Sequence, residues 1–203
     1  MSGRPRAALF DIGNVIVRFD PVALYTKIFP DPVEREAFLG EVCTMAWHVE
    51  HDRGAAMAET IPALIAHHPH YADAIWAWRD RAGEMLSGLI DESVQAIDDL
   101  AARDVPLYAI TNMPAEWIGP VTALSPAFGH FKDIVVSAHE RVIKPDRGLF
   151  EIACERSGLA PQDFFFIDDS LPNIETAQTM GFHTHLFDDP AALRPALEAC
   201  GLL

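Results

Sequence analysis

Residues 7–15, AALFDIGNV, constrain the fold more than any other stretch of the chain. A run of apolar residues stops abruptly at Asp11, and Gly13-Asn14 follows at once. Four or five apolar residues ended by a turn pair predict a buried strand that delivers a carboxylate to its C-terminal edge. In an open α/β sheet, that edge is where ligands bind. A lone Asp after a strand can equally be a loop carboxylate capping a turn, so the stretch needs support from elsewhere.

Three later stretches supply it. Leu107 to Ile110 is a second apolar run, ending in Thr111-Asn112. Ile134 to Ser137 predicts a third strand, followed shortly by Lys144-Pro145, and Phe164 to Ile167 a fourth, ending in Asp168-Asp169 with Asn173 just beyond. Each short strand ends in a different polar group. A carboxylate, a hydroxyl, an ammonium and a carboxylate pair are what handling a phosphoryl group and a divalent cation requires.

Those four motifs, in that order, resemble the haloacid dehalogenase (HAD) superfamily. The match runs through Asp11-Ile12-Gly13-Asn14-Val15, Thr111-Asn112, Lys144-Pro145 and Asp168-Asp169-Ser170-Leu171-Pro172-Asn173 and spans essentially the whole chain. The resemblance implies a Rossmann-like, doubly wound parallel α/β sheet carrying an inserted α-helical cap. It also implies Mg²⁺ as cofactor, since most members are Mg²⁺-dependent phosphatases using an aspartyl-phosphate intermediate. A minority are dehalogenases that use the same Asp without metal.

The remaining sequence agrees with that plan. From Arg18 to about Gly88 strand-like runs disappear, and Pro32 to Val42 and Tyr71 to Met85 show helical spacing of apolar positions. Pro21, Pro30-Asp31-Pro32, Gly54 and Pro69 punctuate this region into short helices. An all-helical insert over 18–88 is therefore expected, with the core formed by 1–17 and 89–203. The core resumes with an amphipathic helix from about Asp91 to Arg103; Phe182 to Phe187 is the expected fifth strand and Pro190 to Cys200 a last helix. Alternating β and α elements imply a parallel sheet covered on both faces.

Composition excludes several partners. Fifteen basic against thirty acidic residues give a formal charge of −15, which argues against nucleic acid and anionic membrane. The longest apolar runs fall short of a membrane span, and no signal h-region opens the chain. Cys43, Cys154 and Cys200 are scattered and odd in number, so reduced thiols in a cytoplasmic protein are expected. The sequence says nothing of oligomeric state. The acidic balance opposes an anionic substrate unless a cation and a well-placed lysine reverse the field locally.

By the resemblance, Asp11 is the nucleophile. Asp11, Asp169 and the Gly13 carbonyl are the expected Mg²⁺ ligands, with Asp168 a direct or indirect partner. Two adjacent acids could simply cap the next helix, but beside Asp11 they would repel it without a metal. Thr111 and Asn112 would donate to the phosphoryl oxygens, and Lys144 would neutralise developing charge. Asn14 and Asn173 are candidate substrate contacts, Asn173 more naturally ordering the acid-pair loop. Trp47, His51, Asp52 and Arg53 form a polar-aromatic group in the insert, where Arg53 could grip a phosphate or a second acidic group bidentately or, equally, form a helix-end salt bridge. His67, His68 and His70 read as a polar helix end, and Trp76, Trp78 and Met85 as insert packing.

One departure matters. Many HAD phosphatases carry a second Asp two residues after the nucleophile as general acid and base, whereas this chain has Gly13. Dehalogenases also lack it, but they resemble one another in having small neutral residues where this chain keeps Asp168-Asp169. The DxGN form resembles a subgroup of sugar-phosphate phosphatases. The expected activity is therefore Mg²⁺-dependent hydrolysis of a small phosphorylated metabolite, for which the resemblance suggests a sugar phosphate. A metal-independent 2-haloacid dehalogenase and a non-catalytic phosphate-binding module are the alternatives.

Overall fold

The computed structural model describes residues 3–203. Seven strands set its frame: β1 (Ala7–Phe10), β2 (Val17–Phe19), β3 (Leu86–Leu89), β4 (Leu107–Thr111), β5 (Phe131–Val136), β6 (Phe164–Asp168) and β7 (His183–Leu186). Five form one parallel sheet in the order β5-β4-β1-β6-β7. β1 lies at the centre, where the chain first winds to one side through β4 and then to the other through β6. That reversal opens a crevice at the carboxyl ends of the strands, and Asp11 stands in it.

β1 is buried along its whole length, and its side chains alternate between two apolar layers. Ala8 and Phe10 join the layer that also holds Ile97, Leu193 and Leu197. Ala7 and Leu9 join the opposite one with Leu149, Phe150 and Phe166. A strand buried on both faces has no polar face to show, which is why it reads as a continuous apolar run.

The other expected strands and helices lie where the sequence places them, with shifted ends. The third expected strand begins earlier, at Phe131, and Ser137 already opens a helix, Ser137–Glu140. The helix after the insert is Asp91–Ala101, and the last helix is Pro190–Cys200. Between β2 and β3 the chain is helical, and its starts obey capping chemistry. Asp20, Asp31 and Thr44 each accept a backbone N–H of the first turn, the first two with Pro at the first helical position.

The insert departs from expectation at its ends. It is not all helical: β2 and β3 pair antiparallel as a two-stranded ribbon. The expected Tyr71–Met85 helix is also broken into Pro69–Tyr71, Ala72–Asp80 and Ala82–Glu84 before β3 begins. Arg81 explains the stop, because its guanidinium pairs bidentately with Glu84 at 2.6 and 2.9 Å and fixes a tight turn. The His67, His68 and His70 group does lie at a helix end, around the turn from Met57–His67 into Pro69–Tyr71. No helix among the described residues is long and apolar enough to cross a membrane.

Candidate active site

The strand ends converge on one ammonium. Lys144 follows β5 and is 3% exposed, yet its Nζ lies 2.9 Å from Asp11 Oδ1 and 2.6 Å from Asp168 Oδ2. Burial alone would lower its pKa, but the two carboxylates outweigh that and hold it above the ordinary lysine range. The reach is fixed from behind. Asn112 Nδ2 donates to the Lys144 carbonyl at 3.0 Å, and Asn112 Oδ1 accepts the Lys144 N–H at 2.8 Å. Asn112 lines the cavity, but both ends of its amide hold the Lys144 peptide.

Asp168 is fully buried and its oxygens are occupied. Oδ1 accepts from the Ser170 N–H at 2.9 Å and from Asn173 Nδ2 at 2.8 Å, while Oδ2 accepts from Lys144. Asn173 thus orders the acid-pair loop, although it also borders the cavity. Asp168 is accordingly a support for Lys144, and Asp169 is the acid turned outward.

Asp11 Oδ1 accepts the Ile12 N–H at 2.6 Å as well as the Lys144 ammonium. Among the described residues no hydrogen bond reaches its other oxygen. Burial pushes the Asp11 carboxyl up to about 7; Lys144 opposes the rise, and Asp168 and Asp169 add to it. Asp169 is raised by desolvation and by Asp168, with Lys144 and then an Asn14 hydrogen bond offsetting part. Asn14 adopts a left-handed φ of 54° and its Oδ1 accepts the Phe19 N–H at 3.0 Å. Its side chain therefore ties the first motif to β2.

Oxygens of Asp11, Asp168 and Asp169 lie within 4.8 Å of one another. Two buried carboxylates and the outward-facing Asp169 against one ammonium leave excess negative charge at the crevice, and the oxygens of Asp11 and Asp169 not engaged by Lys144 suit a hard cation that takes oxygen ligands. The residues fit Mg²⁺ on that ground. Thr111 ends β4 outside the cavity lining, with its Oγ1 buried and without a hydrogen-bond partner among the described residues, an unusual condition for a hydroxyl. Gly13 borders the cavity, and a Cβ built there would meet nothing within 4 Å.

The cavity above these groups measures about 360 Å³. Its far side comes from residues to which no motif points: Phe19 and Leu86 of the ribbon, Met45 and His48 of helix Met45–Asp52, and Trp117 after β4. Of the polar group singled out in that helix, Trp47, His51, Asp52 and Arg53 do not line it. Arg53 instead lies in a separate cleft with Arg141 and Asp146, its Nε 3.9 Å from Glu50. The reason is helical geometry: His48 and Asp52 are four residues apart and share a face, while Arg53 is rotated about 100° from Asp52.

That shared face is strapped to the core. Ser137 Oγ accepts the Met113 N–H at 3.0 Å and donates to the Asp52 carbonyl at 2.7 Å. Gly54, at φ +94°, approaches so closely that a Cβ would sit 2.7 Å from the Ala138 carbonyl. Burial pushes the Asp52 carboxyl up to about 7, Lys144 partly opposing, and lowers His48 to about 3.

Asp52 carries a consequence for pH. Its folded pKa lies above the unfolded value, so the native state binds the extra proton and stability falls as pH rises from about 4 to about 7. Asp52→Asn should therefore raise the urea midpoint at pH 8, by up to a few kcal/mol in stability, and change little near pH 4. An equal effect at both pH values would contradict this.

A family model described as haloacid dehalogenase-like hydrolase matches residues 5–181. A HAD family enzyme from Bacteroides thetaiotaomicron superposes with a TM-score of 0.72 at 20% identity, covering 95% of this chain and 99% of that one. It has also been crystallised with magnesium and inorganic phosphate. A phosphoglycolate phosphatase of Escherichia coli is 28% identical over 82 residues, 40% of this chain and 32% of that protein. A sesquiterpene phosphatase of Aspergillus oryzae is 30% identical over 94 residues, 46% of this chain and 48% of that protein. The chain thus spans half or less of these two relatives.

Proposed function

Because the chain belongs to the haloacid dehalogenase-like hydrolase family, we propose that it is a Mg²⁺-dependent phosphomonoester hydrolase acting on a small phosphorylated metabolite. The observation that carries this reading is the Asp11, Asp168 and Asp169 cluster around one buried ammonium. A metal-free site would gain nothing from three mutually repelling carboxylates. The phosphatase relatives and the magnesium and phosphate complex of the Bacteroides enzyme support the same assignment.

In this mechanism the unpaired oxygen of Asp11 attacks phosphorus and the ester P–O bond breaks, giving an aspartyl phosphate and an alkoxide that takes its proton from solvent water to become the alcohol. Water then attacks that phosphorus, releasing phosphate and restoring the Asp11 carboxylate. Asp11, Asp169 and, by family analogy, the Gly13 carbonyl would hold Mg²⁺. The bound ion would supply charge neutralisation between the two approaching anions. Lys144, aimed by Asp168 and by Asn112, offsets charge on the transferring oxygens and keeps Asp11 ionised. Thr111 Oγ1 is buried, lies outside the cavity lining and has no hydrogen-bond partner among the described residues; only the resemblance gives it the role of donor to a phosphoryl oxygen.

Phosphate release from p-nitrophenyl phosphate with and without Mg²⁺ tests the assignment. Turnover that requires Mg²⁺ is expected; chloride release from 2-chloropropionate without metal would replace the phosphatase with a dehalogenase. In the same assay series Asp169→Asn should lose activity. It should also relieve repulsion, so the metal-free protein is no less stable, but Mg²⁺ no longer raises its Tm. A variant still stabilised by Mg²⁺ as strongly as wild type would put the ion elsewhere.

Gly13 offers no acid to the leaving oxygen. The open space at that position should admit Gly13→Asp, and a positioned acid is worth ~10²–10⁴-fold when the leaving group is poor. Across aryl phosphates of graded phenol pKa, a steep rate dependence in wild type should flatten in the variant. Equal, shallow slopes would mean that another group already delivers the proton.

A further inference from the structure

We propose that the alcohol half of the substrate is an uncharged hydrocarbon, aromatic or isoprenoid, seated against an apolar wall built by the β2–β3 ribbon, the Met45 helix and the segment after β4. This rests on the phosphatase reading and names its substrate class. Charge in the cavity is confined to the sheet edge, at Asp11, Lys144 and Asp169. The wall away from that edge comes from Phe19, Leu86, Met45, Met113, Trp117 and Val121, with His48 among them.

Three of the rings form a continuous surface. Phe19 stacks on His48 at 5.4 Å between centroids, Phe19 meets Trp117 at 5.8 Å, and His48 meets Trp117 at 5.2 Å. His48 adds no charge, since burial keeps it neutral. Its Nδ1 accepts from Trp78 Nε1 at 3.3 Å, which leaves the proton on Nε2. That N–H faces the Asp52 carboxylate, 3.7 Å away, and Trp117 Nε1 is buried, so neither presents a donor to the cavity.

A wall that presents no side-chain donor leaves the ring of hydroxyls on a sugar unpaired, and burying unpaired hydroxyls is costly. A substrate carboxylate fares worse. Among the described residues no arginine or lysine faces it there, since Arg53 lies in another cleft and Lys144 is committed to Asp11 and Asp168. Met45 is 50% exposed although it borders the cavity. A large apolar side chain left in water beside a binding site is accounted for when an apolar ligand covers it.

The test compares esters with equally poor leaving groups, geranyl phosphate against glucose 6-phosphate, with phosphoglycolate as the carboxylate case, at saturating Mg²⁺. We expect kcat/KM for geranyl phosphate to exceed both others by at least ~10²-fold, the scale set by burying several methylenes. Independently of turnover, calorimetry with Mg²⁺ should find naphthylmethylphosphonate bound ~100-fold more tightly than methylphosphonate. Met45→Asp, at a half-exposed position, should cut that ratio about tenfold. A preference for glucose 6-phosphate or phosphoglycolate, or equal affinity for the two phosphonates, overturns the proposal. A steep phosphonate ratio without phosphate release from any ester overturns the phosphatase reading and upholds the apolar wall. Failure of both phosphonates to bind overturns both.

Discussion

Asp11→Asn is expected to reduce turnover at least ~10³-fold, a barrier increase of about 4 kcal/mol, while leaving the fold intact. The substitution keeps the side chain's shape but removes the attacking charge. It also removes a carboxylate that burial and two neighbouring acids already push up to about 7. Losing that unfavourable charge should leave the protein at least as stable as wild type near pH 8. The signature is therefore a dead enzyme that does not melt earlier. Retention of more than about a tenth of the wild-type rate, under ~1.4 kcal/mol of barrier, would take the nucleophile's role from Asp11.

Lys144→Met should do the opposite to stability. Asp168 has no exposure, and the ammonium is its cationic partner. Removing one partner of a buried pair strands the other, at ~3–5 kcal/mol; at ~2–4 °C per kcal/mol this is a Tm drop on the order of 10 °C. Asp11, already pushed up to about 7 by burial, loses the ammonium that opposes the rise, so its folded state holds a proton more firmly, stability falls as pH rises, and the deficit should be larger at pH 8 than at pH 5. Turnover should fall at least ~10²-fold with the lost charge stabilisation. Lys144→Arg should restore little, because a planar guanidinium does not fit between two carboxylates spaced for a point charge. A Tm within about 2 °C of wild type at both pH values, under ~1 kcal/mol, would show that the pair is not sustaining the site.

The sheet and the acid-rich end of the site were legible in the sequence because buried parallel strands leave a plain mark. Ala7–Phe10 and Phe164–Asp168 are apolar on both faces and stop at the residues that matter. The ribbon was not legible. β2 has three residues, and β3 has Ser87 and Gly88 exposed at its middle, so neither shows a period. Asn112 and Asn173 were placed in the right neighbourhood, but sequence cannot say whether an amide faces a ligand or a backbone; here they hold Lys144 and Asp168. The charge of Arg53 allows a ligand contact and a helix-end salt bridge equally; helix phase turns it away from the cavity that His48 borders and leaves it 3.9 Å from Glu50. The cavity wall escaped altogether: Phe19, Met45 and Trp117 are ordinary apolar residues, and only the fold brings them to one place.

The central claim is that a phosphoryl group passes through Asp11, and acid-quenched peptide mass spectrometry tests it most directly. Wild type mixed rapidly with p-nitrophenyl phosphate and Mg²⁺ should yield the peptide containing Asp11 heavier by one phosphoryl group. The adduct should be absent without Mg²⁺ and absent in Asp11→Asn. Phosphate release with no adduct on that peptide, or with the adduct on another residue, would contradict the account.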